Sequence, residues 1–204
     1  MDRSKLIIVS RESPLAVAQV YEALDVLRSV LPDGLTLEIT ACTTPGDRDL
    51  VTALADPTLA QDFFSRDLDE QLLKRQADLA IHSAKDLPNP LPPGLVIAAM
   101  LPAKDIRDAL VIRRGLTLDQ VRVVGSSSPK RNLELAKLHP SWELKPIRGT
   151  IQARITQMDA GAYDAVVIAA CALERLRLAD RIDQDLPWDP TPNQGRLALV
   201  VRED

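Results

Sequence analysis

The chain has 204 residues, 46% of them apolar and 26% charged, with a formal net charge of −4. These values fit a globular protein of one large domain or two small ones and exclude a disordered chain. Aromatic residues make up only 3%, so aliphatic side chains must fill the core, and the lack of a basic, aromatic-interleaved stretch argues against a nucleic-acid partner.

Met1 to Val9 lacks the apolar stretch of a signal peptide. No apolar run approaches the ~20 residues that span a bilayer. The expected location is therefore cytoplasmic, with no membrane partner. Lys5 to Ser10 predicts a buried strand, and Ser13 followed by Pro14 predicts a capped helix from Pro14 to Leu31. Leu35 to Thr40 alternates apolar and polar residues and reads as a strand. Asp67 to Arg75 reads as a helix with acidic residues in its first turn. Strands are expected at Asp78 to His82, Leu95 to Leu101 and Ala109 to Arg113.

A second series then begins. Val121 to Gly125 predicts a strand, Ser128-Pro129 to about Leu138 a helix, and Trp142 to Ile147 a strand. Ile151 to Ala160 predicts a helix, Ala165 to Ala169 a strand and Ala172 to Leu178 a helix. Asp185 to Gln194 is proline-rich and irregular, and Leu197 to Val201 closes the chain as a strand that must join an existing sheet. The alternation predicts an α/β fold with largely parallel sheets. The expected boundary lies near Pro102 to Asp108, giving domain 1 as residues 1–99 plus 194–204 and domain 2 as residues 100–193.

Several catalytic motifs are absent: GxGxxG after the first strand, a Walker loop, HExxH and GxSxG. The only histidines are His82 and His139, which excludes a histidine-rich metal site, and no metal is expected. Cys42 and Cys171 lie far apart at the ends of apolar runs and read as free buried thiols. The most informative stretch is His82 to Pro88 (HSAKDLP), which follows a buried strand. Ligands bind at that edge of open α/β sheets. There Ser83, Lys85 and Asp86 offer a hydroxyl, a cation and a carboxylate. On spacing alone, a ligand site and a capped turn with an exposed Lys–Asp pair are equally served.

Gly125 to Arg131 (GSSSPKR) is a strand–loop–helix junction with three hydroxyls and two cations beside free helix N–H groups. It suits an anion better than capping by Ser128 alone does. Arg148-Gly149-Thr150 with Arg154, and Arg11-Glu12-Ser13, hold the same kind of junction. Of the 25 basic residues 18 are Arg, the residue that grips carboxylate or phosphate in a bidentate way.

In this order the segments resemble the porphobilinogen deaminases (hydroxymethylbilane synthases). The resemblance covers nearly the whole chain. It runs from Ser10-Arg11-Glu12-Ser13-Pro14-Leu15-Ala16 and Gln19, through Thr43-Thr44-Pro45-Gly46-Asp47, Phe64 and Asp67-Leu68-Asp69, to Ala77 through Pro88 and Asp105 to Ala109. It continues with Gly125 to Arg131, Ile147 to Thr150, Arg154, Tyr163-Asp164-Ala165, Ala172 to Leu176 and Gln194-Gly195. It implies two domains like those of periplasmic binding proteins, with a cleft between them, and a third domain absent here. The implied activity is a transferase of tetrapyrrole (porphyrin, heme) biosynthesis that joins four porphobilinogens with loss of ammonia. Asp86 takes the place of the catalytic aspartate, holding pyrrole N–H groups and stabilising the azafulvene cation formed as ammonia leaves. By motif, Arg11, Ser13, Lys85, Ser127, Ser128, Lys130, Arg131, Arg148 and Arg154 bind the acetate and propionate arms, with Arg175 a weaker member of the set.

Three departures accompany the resemblance. The implied cofactor is dipyrromethane, yet neither Cys42 nor Cys171 matches its anchoring cysteine, which belongs to the third domain. A partner protein supplying that domain is one way to complete the site. Gln61 stands where the family has a loop lysine. Lys130 stands where it has an arginine, keeping the charge but losing the fork. The alternative class is a non-catalytic binder of a pyrrole or other polycarboxylate. A secreted solute-binding protein needs an export signal, and a transcription-factor domain needs a helix-turn-helix; neither is seen in this sequence.

Overall fold

The computed structural model describes residues 4–49, 60 and 62–204; Gln61 lies outside the described residues. In chain order the elements are β1 (Lys5–Arg11), α1 (Pro14–Leu27), β2 (Thr36–Cys42), α2 (Pro45–Arg48), α3 (Arg66–Leu73), β3 (Leu79–Ser83) and a 3-10 turn (Ala84–Asp86). Then come β4 (Leu95–Met100), β5 (Asp108–Ile112), β6 (Val123–Gly125), α4 (Pro129–Leu138), β7 (Glu143–Lys145) and α5 (Ile151–Asp159). β8 (Ala165–Ala169), α6 (Ala170–Arg175), β9 (Gln184–Leu186) and β10 (Leu197–Arg202) complete the chain. They form two compact units. The first draws on the chain up to Asp49, Ala60–Ala103 and Gly195–Asp204; the second includes Lys104–Gln194.

The first unit holds a five-stranded sheet in the order β2-β1-β3-β10-β4. β1 runs parallel to β2 and β3, whereas β10 runs antiparallel to β3 and β4. Successive residues of each strand serve opposite faces. Ile8, Leu79, Ile81, Leu197 and Leu199 pack with Val20, Ala23 and Leu24 of α1. Their neighbours Val9, Ala80 and Val200 pack with Leu68 and Leu72 of α3. Strands buried on both faces favour apolar residues at successive positions, which is why Leu6–Val9 of β1 and Leu79–Ile81 of β3 read as short apolar runs.

The second unit repeats the pattern with β7-β6-β8-β5-β9. β6 is parallel to β7 and β8, and β5 is antiparallel to β8 and β9. Its core joins Leu110, Ile112, Val124, Val167 and Leu186 to Leu135 of α4.

The sheets are mixed rather than largely parallel, because in each one strand returns antiparallel through the middle. α1 stops at Leu27 rather than Leu31, and the chain continues in tight turns from Ser29 to Val26 and from Val30 to Leu27. Pro32 disfavours a helical Leu31. β7 covers three residues instead of six, and Pro146 removes the next ladder donor. The proline-rich stretch contains an unforeseen strand, β9, at the sheet edge and directly before Pro187, where proline is tolerated.

Candidate functional site

In the first unit the parallel strands β2, β1 and β3 end on one edge. Arg11 is level with Cys42 across one ladder, and Val9 pairs with Ala80 across the other, so the end of β1 also lies level with His82. Ser13 caps α1 there, its hydroxyl accepting from the Ala16 N–H at 3.2 Å. Arg11 donates from Nε to Asp47 Oδ2 at 3.0 Å and pairs through Nη2 with Oδ1. Its guanidinium lies 4.8 Å above the centre of the Phe64 ring, a cation–π distance.

That arrangement explains the Thr43 to Asp47 motif. Thr44 donates its N–H and its hydroxyl to Asp47 at 3.0 and 2.8 Å, which orients the carboxylate for Arg11. A side chain at Gly46 would collide with the Phe64 ring. Burial pushes the Asp47 carboxyl up, but the Arg11 and Thr44 hydrogen bonds outweigh it and hold it below the usual carboxylate range.

β3 leads into the turn that carries Lys85 and Asp86, both half-buried. The turn is tied down by the Ala84 N–H, which donates to the Arg196 carbonyl at 3.1 Å. Buried Gln19 of α1 donates to the Ser83 hydroxyl at 2.8 Å. On the other face His82 is buried, with Nε2 4.0 Å from Oδ1 of buried Asp69 on α3. Among the described residues neither of these two atoms has a hydrogen-bond partner. Burial pushes the Asp69 carboxyl up to about 6. Burial first, and the Arg11 charge second, push His82 down to about 4. The Asp86 carboxylate makes no hydrogen bond to a described residue, so it is available to accept from a ligand.

In the second unit Gly125 ends β6 with Ile147, Tyr163 and Val166 packed so close that an added Cβ would sit about 3.0–3.1 Å from them. The next three serines divide their work. Ser126 is buried and its hydroxyl has no partner. Ser127 donates to the Ile147 carbonyl at 2.6 Å and accepts from the Ile147 N–H at 2.8 Å. Ser128 caps α4, accepting from the Arg131 N–H at 3.4 Å. Lys130 donates to the Asp189 carbonyl.

Arg131 is held below the surface. It donates from Nη2 to Asp108 at 2.6 Å and from Nη1 to the Val167 carbonyl at 3.3 Å. Asp108, fully buried, also accepts from Trp188 Nε1 and Gln194 Nε2, each at 2.9 Å. Burial pushes its carboxyl up, and the Arg131 charge with these hydrogen bonds prevails, leaving it below its ordinary value. Half-buried Arg154 donates to the Gly149 carbonyl at 2.9 Å and so braces the loop after β7 that carries half-buried Arg148. Arg175 is half-buried in the last turn of α6.

Arg11, Ser13, Lys85 and Asp86 therefore gather at one sheet edge of the first unit. Ser127, Ser128, Lys130, Arg131, Arg148 and Arg154 flank the strand ends of the second, with Arg175 further along. Sequence reasoning gave no role to the residues that hold them, Asp47 and Phe64 in the first unit and Asp108, Trp188 and Gln194 in the second, although all but Trp188 lie in the segments that carry the family resemblance. Among the described residues no helix is long and apolar enough to cross a membrane.

The family model described as "Porphobilinogen deaminase, dipyromethane cofactor binding domain" matches residues 6–204. Porphobilinogen deaminase of Chromobacterium violaceum is 39% identical over 210 residues, covering 98% of this chain and 66% of that protein. That of Coxiella burnetii is 37% identical over 206 residues, with 99% and 66% covered. That of a Synechococcus species is 40% identical, with 100% and 67% covered. The chain thus spans about two thirds of the length of these relatives. Two solved structures share the fold at 12% identity: full-length BenM, with a TM-score of 0.54 over 100% of this chain and 62% of that one, and a Bacillus subtilis lipoprotein, with a TM-score of 0.52 over 100% and 85%. With a family model spanning almost every residue and the HSAKDLP and GSSSPKR segments both in place, the chain belongs to the porphobilinogen deaminase family.

Proposed function

We propose that this chain provides the porphobilinogen-binding and deaminating part of a cytoplasmic hydroxymethylbilane synthase, which joins four porphobilinogens and releases ammonia. The observation that carries the reading is the Asp86 carboxylate, half-buried at a sheet edge and without a hydrogen bond to any described residue. A carboxylate so placed accepts pyrrole N–H groups, and it stabilises the positive charge that grows on the substrate as ammonia departs. Lys85 beside it supplies a cation for an acetate or propionate arm. Arg11 keeps Nη1 clear of Asp47, leaving one donor edge for the same use. In the second unit Lys130, Arg148, Arg154 and Arg175 supply further cations for carboxylates, while Arg131 and Ser127 also hold the strand ends in place.

Dipyrromethane is the cofactor of this family's binding domain, and when bound it supplies the end from which the pyrrole chain grows. The carboxylate and cations here suit its pyrrole N–H groups and acidic arms. The thiols do not suit its anchor: burial raises Cys42 to about 11, and Cys171 is buried. A thiolate is the reacting form, so the anchoring cysteine in this reading comes from a third domain, or from a partner that supplies one. The alternative is a non-catalytic binder of a pyrrole or other polycarboxylate, which the following assay separates from the enzyme.

The decisive assay incubates the protein, together with the third domain or the partner that supplies it, with porphobilinogen and measures ammonia, bilane and the protein mass. Turnover with a mass increase for dipyrromethane supports the enzyme. Saturable porphobilinogen binding without ammonia selects the binder. Asp86→Asn should lower turnover by about 100-fold or more with an unchanged circular-dichroism melt, as expected when a group acting on transition-state charge is neutralised; retained turnover would remove Asp86 from its role.

A further inference from the structure

β3 ends in a two-sided arrangement. From the α1 face, Gln19 closes a 2.8 Å hydrogen bond on Ser83. From the α3 face, Asp69 approaches the preceding residue, His82, but stops at 4.0 Å. Asp69 Oδ1 and His82 Nε2 are each buried and have no hydrogen-bond partner among the described residues. Asp69 Oδ2 is already satisfied by the Ser65 hydroxyl at 2.7 Å, which fixes the carboxylate's plane. The sheet face that α3 covers is otherwise apolar, with Val9, Leu68, Leu72 and Ala80 in one core cluster, and the charges that act on the pair are Arg11 on His82 and Asp62 on Asp69. Two buried acceptors left facing each other are costly, and one proton between them removes the cost.

We propose that Asp69 and His82 form a positioning pair for the Ser83–Asp86 turn, in which neutral His82 carries its proton on Nε2 and donates it to Asp69. A small rotation of either side chain closes the gap. With the pair closed, both terminal residues of β3 are gripped, one from each face. The turn that presents Lys85 and Asp86 is then fixed at its root. A leucine-like residue at position 82 would fill the space but leave Asp69 unpaired and the turn held from one face only. The inference rests on the porphobilinogen reading above for its ligand, but not for its geometry.

Two measurements on the full chain test it. First, nitrogen-15 imidazole spectra reveal which ring nitrogen is protonated; with only two histidines in the chain, His139→Gln assigns the signals. A neutral His82 with the proton on Nε2, lost as a tautomer preference in Asp69→Leu, is expected. A proton on Nδ1 in the wild type overturns the proposal. Second, porphobilinogen affinity is compared for the wild type, His82→Gln and His82→Leu. Glutamine keeps an amide donor and should bind within about threefold of the wild type, while leucine should lose about tenfold or more, the scale of one hydrogen bond to a charged group. Equal affinity of the leucine variant and the wild type also overturns it. Should the leucine variant fail to fold, the tautomer measurement on the wild type still decides. Should the wild type bind no porphobilinogen, the functional reading fails and the tautomer result stands on its own.

Discussion

Two buried aspartates show how differently one residue type can be accommodated. Asp108 takes hydrogen bonds from Arg131, Trp188 and Gln194, so its charge is compensated where it lies. Asp69, almost fully buried, takes one, from Ser65, among the described residues. Its carboxyl is accordingly pushed up to about 6 by burial. A group whose pKa is higher in the folded than in the unfolded chain stabilises the fold below its unfolded value, near 4, and that contribution is lost as the pH rises through 6. Without a proton from His82, Asp69→Asn would raise stability at pH 7.5 by about 1–3 kcal/mol, shrinking toward zero by pH 4; with His82 donating to Asp69, as proposed above, the gain at pH 7.5 should fall below about 1 kcal/mol. Thermal melts of both proteins across that range check it. A gain that grew with acidity would mean that Asp69 is paired more strongly than its surroundings show. Nothing in local sequence marks this residue: Asp67 and Asp69 look alike, and only the packing of α3 on the sheet buries the second of them.

Helix starts are the elements that local sequence declares most openly. Ser13 before Pro14, Ser128 before Pro129 and Thr150 before Ile151 all cap helices in the structure, each hydroxyl accepting from the N–H three residues on. The signal is legible because it needs only four consecutive residues. Thr150 gives its hydroxyl to the cap, accepting from the Ala153 N–H, so Thr150→Ala should cost about 1 kcal/mol in a denaturant melt. Porphobilinogen binding should stay unchanged; a parallel loss of binding would show that the loop holding Arg148 depends on this cap. Strand ends were less legible. β9 is a strand only because β5 offers an edge for three residues of pairing, and the stretch around it is otherwise proline-rich. The roles of Ser127 and Arg131 were also hidden. Spacing displayed them as ligand donors, while the fold turns Ser127 onto Ile147 and Arg131 onto Asp108.

At the scale of the molecule, each sheet depends on one strand that runs against its neighbours. β10 lies between β3 and β4, pairing antiparallel with both, and contributes Leu197, Leu199 and Val200 to the cores on the two faces. Deleting residues 197–204 would strand β4 and open both cores. The first unit should then lose its cooperative melt and its dispersed amide spectrum, whereas an intact melt would show that β10 adds only an edge. Sequence by itself determined the α/β class, most element positions, the capped junctions and, through the HSAKDLP and GSSSPKR segments, the family. Those depend on short-range periodicity and on residue identity, which a linear chain carries in full. Tertiary structure alone decided the mixed strand directions, the place of β10, the partners of Arg11 and Arg131, and the facing of Asp69 and His82. Each of those is a contact between residues distant in the chain, set by which helix covers which face of which sheet, and no local pattern encodes it.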